Sequence, residues 1–390
     1  MSFNKNILKL KTACILPILL PILCAAQDSD RHVQKIYLNG YIKALPSWNL
    51  PGNFERMSQT NIFHNRININ IKASNHFQSG ISFRNRLIWG DDVKQNPGYS
   101  SLIRNTQELL NLSAIWVQDP SLILYTNTER LWVEYRKSKW NLRIGRQRIN
   151  WSMTGTWNPC DLFNVYNFLD VDYEERPGTD AIKFSYQTGE MSSLEFAFAP
   201  GKSANKAITA GRYTFHKNQT DFQLLAGLYK RRISFGGAWA GRLGETGWKG
   251  ELQYFMKRGT EKPQLNMTTE FDHVFKKGWY LNGGMLYNAN GISKRISKMD
   301  TLRFEFTPLQ LMPTKFNFIF SSSKEINPIF SFTSSILYSP NSNLLILLPG
   351  LRLNMGSNLD ADFIWQSFFA STERFKAMNH RGFIRIRWSY

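Results

Sequence analysis

An all-β fold, a transmembrane antiparallel β-barrel of about 18 strands, is predicted by three features of this 390-residue chain. Its N-terminus reads as an export leader, no later apolar run is long enough to cross a bilayer as a helix, and apolar and polar residues alternate along most of the remainder. Inside lipid only helices and closed barrels satisfy every backbone polar group, so an exported chain without a spanning helix is either soluble or a barrel. The alternation decides for the barrel, because the side chains of a spanning strand point in turn to lipid and to the lumen.

The leader comes first. Lys5, Lys9 and Lys11 form a positive start, Thr12 to Leu23 is apolar around Pro17 and Pro21, and Cys24, Ala25 and Ala26 place small residues before Gln27. This divides the chain into a signal peptide at 1–26 and one barrel domain at 27–390. Leu23 is bulky for the position before an acylated cysteine, which disfavours a lipoprotein anchor at Cys24. Beyond the leader the longest obvious apolar run, Leu344 to Leu348, stops at Pro349-Gly350. Cys160 is the one cysteine after residue 26, so the mature chain has no intrachain disulfide.

The strands follow in order. Ile36, Leu38, Gly40, Ile42 and Ala44 oppose Lys35, Tyr37, Asn39, Tyr41 and Lys43; Ile67, Ile69 and Ile71 oppose Arg66, Asn68, Asn70 and Lys72. Ile81, Phe83, Leu87 and Trp89 oppose Ser82, Arg84 and Arg86, and Leu131, Val133 and Tyr135 oppose Arg130, Glu134 and Arg136. The pattern recurs with Ile182, Phe184 and Tyr186 against Lys183 and Ser185, with Phe196 and Phe198 flanking Glu195, and with Tyr213 and Phe215 against Arg212, Thr214 and His216. It closes the chain, where Ile384, Ile386, Trp388 and Tyr390 oppose Arg385, Arg387 and Ser389. Short links such as 74–76, 137–139 and 217–219 alternate with long ones, Gly90 to Asn105 and Trp151 to Thr179, as short periplasmic turns and longer outer loops would. Aromatic residues make up 14% of the chain, many near strand ends where interfacial girdles lie. About 19 candidate strands can be marked. A chain that enters and leaves on one side needs an even number, so 18 is the expected count, with 16 or 20 as alternatives.

Charge then acquires a location. Without Lys5, Lys9 and Lys11 the 48 basic residues become 45 against 29 acidic, a net charge of +16. The cations are spread at alternate strand positions without the dense patch that nucleic acid requires. If the polar face is the lumen, that lumen is cationic and favours anions. Arg66, Arg84, Arg86, Arg143, Arg146, Arg148 and Lys183 have few acidic neighbours in sequence and are the candidate lumen and solute-binding residues.

Lys139 to Asp180 is the most distinctive segment. Three arginines, Arg143, Arg146 and Arg148, leave one strand, and a long connection precedes the next strand near Ala181. Such a length implies function or disorder, and Trp151, Trp157, Phe163, Tyr166, Phe168 and Tyr173 argue for order. Asp170, Asp172, Glu174 and Glu175 can pair with the three arginines, folding the loop inward as a constriction that includes Trp151, Trp157, Asp172, Tyr173, Glu174, Glu175 and Arg176. The aromatic residues of the loop read as its core against the wall before they read as a sugar platform, and Arg176 reads as a structural partner of its two acidic neighbours.

The run Arg143-Ile144-Gly145-Arg146-Gln147-Arg148-Ile149-Asn150-Trp151, with Trp157-Asn158-Pro159 and Asp172-Tyr173-Glu174-Glu175-Arg176-Pro177-Gly178, resembles outer-membrane β-barrel proteins of the Bacteroidota. It is more distantly similar to the alginate-export and phosphate-selective porin families. The resemblance implies a barrel of 16 to 18 strands in the outer membrane of a Gram-negative bacterium, with a cationic lumen and an inward loop. It implies that Trp388 and Tyr390 signal insertion through the barrel assembly machinery, with outer-membrane lipid and small anionic or saccharide solutes as the other partners. It carries over no substrate.

The functional expectation is a passive porin-like channel for anionic or acidic-sugar solutes, with no cofactor. A closed barrel that holds surface polysaccharide is the alternative. An outer-membrane enzyme is disfavoured, because none of His32, His64, His76, His216, His273 and His380 sits in a recognisable nucleophile setting. Cys160 is isolated and no two histidines have ligand spacing, so no metal site is expected.

Overall fold

A computed structural model describes residues 35–103, 108–172, 177–296, 304–371 and 374–390. The leader at 1–26 and the loop residues Tyr173, Glu174, Glu175 and Arg176 lie outside the described residues. The strands are β1 (Lys35–Pro51), β2 (Ser58–Lys72), β3 (Phe77–Gly90), β4 (Ser113–Asp119), β5 (Leu122–Lys137), β6 (Trp140–Gln147), β7 (Thr179–Gly189), β8 (Ser192–Ala199), β9 (Ile208–Lys217) and β10 (Thr220–Tyr229). They continue as β11 (Arg232–Leu243), β12 (Thr246–Phe255), β13 (Gln264–Val274), β14 (Trp279–Asn288), β15 (Phe316–Glu325), β16 (Phe330–Ser339), β17 (Leu344–Asn354), β18 (Leu359–Ser371) and β19 (Phe375–Ser389). No described helix is long and apolar enough to cross a membrane.

Every pairing is antiparallel, each stave bonds to the next, and β1 pairs with both β2 and β19, so the sheet closes as an 18-stave barrel. The extra strand is β4. β3 pairs directly with β5, from Phe77 opposite Tyr135 to Trp89 opposite Leu122. On its other edge β5 holds β4 along 122–127 and β6 along 131–137. β6 is short because the chain leaves the wall after Gln147, and β4 covers the edge this exposes. Turns on the side of the termini are two to four residues long, whereas 91–112, 148–178 and 289–315 connect staves at the far end. The turn at Asn218 and Gln219 has φ of 50° and 60°, a pair of left-handed residues whose twist matches that of the strands.

The seam is locked by the last residue. Gly40 and Tyr390 exchange backbone hydrogen bonds of 3.0 Å. The Tyr390 phenol then reaches across β1, donating to the Arg66 carbonyl at 3.1 Å and accepting from Asn65 Nδ2 at 3.3 Å. A Cβ on Gly40 would sit 2.7 Å from that phenol oxygen and 2.1 Å from the Arg66 carbonyl, so this position admits glycine alone. One aromatic side chain thus ties β19, β1 and β2 together.

Outward positions follow the predicted alternation: Ile182, Phe184 and Tyr186 on β7, and Ile384, Ile386 and Trp388 on β19, are all exposed on the face that lipid would cover. Inward positions are polar in the half nearer the termini. In the far half the expectation of a polar lumen fails, because two loops fold in and need an apolar surface. Ala181, Ala197, Ala199, Ala210 and Ala238 make a shelf of small side chains under Trp151, Cys160 and Leu162. Across the barrel Leu286, Leu337, Leu344 and Ile346 pack on Trp157 and on Leu311 and Met312 of the 289–315 connection.

Replacing Gly40 with Val is expected to prevent seam closure, seen as loss of the heat-modifiable compact band on a semi-native gel. Deleting Trp388 to Tyr390 is expected to give the same loss; a full compact band from either variant would contradict this view of the seam.

Candidate functional site

The lumen is crossed by 148–172, and each part of this loop is held by a different stave. At the near end Ile149 and Trp151 are buried, the Trp151 indole donates to Glu195 Oε2 on β8 at 2.8 Å, and its carbonyl accepts from Gln223 Nε2 on β10 at 2.9 Å. The loop then meets two carboxylates on adjacent staves. Glu251 of β12, which has no exposed surface, accepts from the backbone N–H groups of Met153, Thr154 and Cys160 and from the Thr154 hydroxyl. Glu270 of β13 accepts from the N–H groups of Gly155 and Thr156, each at 2.8 Å. These contacts answer the demand that a buried, irregular backbone must satisfy its donors. Burial, and then the charge of Glu251, push the Cys160 thiol well above the usual cysteine range. It is therefore an inert packing group.

At its other end the loop reaches β18, where Gln366 Nε2 donates to the Leu169 carbonyl at 2.9 Å, and then a basic wall. Asp172 Oδ1 lies 3.2 Å from Lys43 Nζ and 3.2 Å from His64 Nδ1, and Asp172 Oδ2 lies 2.6 Å from an Arg84 guanidinium nitrogen and 3.6 Å from one of Arg86. Arg84 Nε donates to His64 Nε2 at 2.8 Å, which leaves His64 Nδ1 as the nitrogen facing Asp172. Burial alone would raise the Asp172 carboxyl, but the Arg84 charge and the His64 hydrogen bond outweigh it and hold Asp172 well below the usual carboxylate range. Asp170 moves the other way, raised by burial and by the charge of Asp172.

For Asp172 the expected pairing with the arginines at the base of the loop is corrected by this geometry, while Glu174 and Glu175 lie outside the described residues. Arg143 binds Glu134 of β5 and stacks its guanidinium 4.1 Å over Trp132. Arg146 is bidentate to Asp180 at 2.8 and 2.9 Å and also donates to the carbonyls of Thr128 and Leu110. Arg148 is exposed, and Lys183 lies 3.6 Å from Glu195. Arg66 is buried, with its Nε donating to Asn68 Oδ1 at 2.9 Å. Acidic partners thus face all five of Arg84, Arg86, Arg143, Arg146 and Lys183: Glu134 and Glu195 lie close in sequence on the next stave, whereas Asp180 and Asp172 lie farther along the chain. Trp151 and Trp157 are buried as the loop's core, as its aromatic content suggested.

Register creates a feature that sequence reading missed. Across β18, β19, β1, β2 and β3, directly opposed residues form one row: Asp360, Arg387, Lys43, His64 and Arg86. Arg387 is tied to Asp360 at 2.6 Å, and the other three basic groups converge on Asp172. Among the described residues no group of three His, Cys, Asp or Glu is placed to hold a metal ion.

No family model and no curated protein matches the chain. Its fold is similar to that of OccAB4 of Acinetobacter baumannii, with 7% identity and a TM-score of 0.57 over 93% of this chain and 100% of that one. It is similar to OccK7 (OpdD) of Pseudomonas aeruginosa, with 8% identity and a TM-score of 0.56 over 92% of this chain and 98% of that one. It is also similar to the outer membrane protein opdK of Pseudomonas aeruginosa, with 10% identity and a TM-score of 0.55 over 91% of this chain and 99% of that one. At these identities the likeness is one of architecture, a closed barrel shared over nearly the whole of each chain.

Cys160 reports on the loop. Maleimide labelling of the folded protein lacking 1–26 is expected to be slow, and Glu251→Gln or Asp172→Asn should accelerate it, since removing one partner of a buried charged contact costs about 3–5 kcal/mol; unchanged labelling would show that these contacts do not pin the loop. Because the folded Asp172 carboxyl is depressed, its contribution is present above the ordinary range and is lost only as pH falls through the lowered value. Protection of Cys160 from a dipyridyl disulfide, a reagent that modifies thiols in acid, is expected to persist down to about pH 4, the unperturbed aspartate value, and a loss of protection above that pH would count against the anchor.

Proposed function

We propose that the chain is an outer-membrane, porin-like channel through which small anionic or acidic-sugar solutes pass passively. In this reading 1–26 is a cleaved export leader, the barrel assembly machinery inserts the barrel with Trp388 and Tyr390 as its signal, and outer-membrane lipid covers the apolar outer face. The observation that carries the anion preference is the row Arg387, Lys43, His64 and Arg86 on consecutive staves next to the crossing loop, in which Arg387, Lys43 and Arg86 are cations and His64, whose Nε2 accepts from Arg84, is neutral. Cations fixed at a narrowing lower the barrier for an anion, and the nearby carboxylates Asp360 and Asp172 keep that attraction from becoming a trap. Transport of this kind uses no cofactor and no energy coupling, and no catalytic role is assigned.

One observation favours a second reading. Trp151, Trp157 and Leu311 are buried in an apolar plug, which suits a closed barrel that holds polysaccharide at its outer end.

The two readings part in a planar bilayer under a potassium chloride gradient. The channel reading expects conductance steps with a chloride-selective reversal potential, weakened by Arg387→Gln and by Arg86→Gln. Cation-selective reversal would overturn the anion preference, and folded protein without conductance would favour the closed barrel.

A further inference from the structure

Three consecutive turns at the far end of the barrel carry positive charge without a counter-charge. They are 200–207 between β8 and β9, 230–231 between β10 and β11, and 256–263 between β12 and β13. Lys202, Lys206, Lys230, Arg231, Lys257, Arg258 and Lys262 lie on them beside one acid, Glu261, whose carboxylate is 3.7 Å from Arg232 of the wall. Among the described residues none of these seven cations has an ion-pair partner, whereas Arg84, Arg86, Arg143, Arg146 and Lys183 inside the barrel all do. The turns form one surface: the Lys230 N–H donates to the Ala207 carbonyl at 3.0 Å, Arg258 donates to the Lys230 carbonyl at 3.2 Å, and Arg232 donates to the Lys262 carbonyl at 2.6 Å.

Holding cations here is costly. Lys230 and Arg231 have φ of 48° and 69°, the left-handed pair of a two-residue turn in which asparagine and glycine are favoured. Burial, and then the charge of Lys206, hold the Lys230 ammonium below the usual lysine range, so neighbouring cations on this surface oppose one another. Asn-Gly at 230–231 would relieve both the backbone and the charge.

An apolar row lies directly beneath. Phe198, Thr209, Leu228 and Ile233 are opposed in register on β8, β9, β10 and β11, and Met256 continues the row by donating its N–H to the Ile233 carbonyl at 2.9 Å. Phe198, Leu228, Ile233 and Met256 are 42–47% exposed on the outer face. Lys230, Arg231 and Arg258 stand two residues from Leu228, Ile233 and Met256 respectively, which sets charge immediately above the row. Four strand intervals of about 4.8 Å make the row about 19 Å wide, room for several acyl chains side by side.

Resting on the outer-membrane placement proposed above and not on conductance, we infer that the far end of β8 to β12 docks a lipid of the surrounding leaflet whose head bears more than one phosphate and which carries several acyl chains. Its phosphates lie against the three turns and its acyl chains against the row from Phe198 to Met256. Charge complementarity commits the head group, since a phosphate monoester brings about −1.5 to −2 charges to a crowded set of cations where a carboxylate brings one. The apolar row commits the rest of the ligand, because a soluble polyanion would leave it uncovered.

The test is a titration of the folded full barrel in non-ionic detergent with diphosphoryl lipid A, phosphatidylglycerol or phosphatidylcholine, with bound lipid counted by native mass spectrometry. Diphosphoryl lipid A is expected to bind most tightly. Lys230→Asn combined with Arg231→Gly is expected to weaken it by roughly thirtyfold, at about 1 kcal/mol for each cation near an anionic surface and about 1.4 kcal/mol for each factor of ten. The same variant should raise the melting temperature, because the turn gains its favoured residues, so its loss of lipid is not a loss of folding. Lys137→Gln combined with Lys139→Gln, at the opposite end of the barrel, is expected to leave the affinity unchanged. Full affinity in the 230–231 variant, an equal loss in the 137/139 variant, equal binding of phosphatidylglycerol or phosphatidylcholine, or full displacement by equimolar sodium tripolyphosphate, which has no acyl chains, would each overturn the docking site. Reversal potentials read separately: cation selectivity removes the anion channel and leaves the lipid result standing, whereas chloride selectivity with any of those four outcomes removes the docking site alone.

Discussion

The structure depends on one constraint, that a long irregular loop can lie inside a barrel only if the wall supplies acceptors for its backbone and counter-charges for its side chains. Glu251 and Glu270 meet this constraint at one end, taking five backbone N–H groups between them, and Lys43, His64, Arg84 and Arg86 meet it at the other by gathering on Asp172. The two anchors have opposite polarity. Acidic wall residues hold backbone donors, and basic wall residues hold a loop carboxylate, so the loop cannot exchange its ends or slide along the wall without leaving a charge buried and unpaired.

The rest of the wall is adapted to that loop. Five alanines on β7, β8, β9 and β11 leave room beneath Trp151 and Cys160, while on β14, β16 and β17 the inward positions are leucine and isoleucine because they pack on a plug and not on water. The stave that gives rise to the loop is shortened, and β4 repairs the edge this exposes, with Arg146 bridging Asp180 to the carbonyls of Thr128 and Leu110 at the join. Loop, repair strand and apolar inner surface form a single unit, since each covers backbone or apolar surface that another would otherwise leave exposed.

Most of the wall was legible in sequence, because a barrel with an apolar outer face and a polar inner face imposes a period of two that survives in short segments such as Ile182 to Tyr186. The even strand count was legible too, although β4 shows that a strand can be present without being a stave. Leu344 to Leu348 marks where the rule ends. Its unbroken apolar run has the outer face of the barrel on one side and the plug on the other, and sequence alone offers no signal that the inner face there is apolar. The loop pairings were illegible for a different reason. Asp172 lies 129 residues from Lys43 and 108 from His64, and only closure of β19 on β1 brings these strands into register. Sequence proximity pointed to Arg143 and Arg146, which the neighbouring staves had already engaged through Glu134 and Asp180. Along the 289–315 connection, whose Leu311 and Met312 complete the plug, the order of residues gave no sign of which side chains would turn inward.

These pairings change what a net positive charge means for this barrel. A cation that is bidentate to a wall carboxylate, as Arg146 is to Asp180, contributes shape more than field, because the pair presents a dipole where a lone guanidinium would present a charge. The field at the narrowing is therefore set by imbalance within local clusters and not by the total. On β1, β2 and β3, Lys43, His64, Arg84 and Arg86 gather on Asp172, and Glu129 lies 3.7 Å from Arg84 as a further described acid. An arrangement in which several cations compete for one carboxylate on the loop also couples the field to the loop's position. Any displacement of Asp172 would break its contacts with Lys43, Arg84 and Arg86, so the position of the loop and the distribution of charge on this part of the wall are linked.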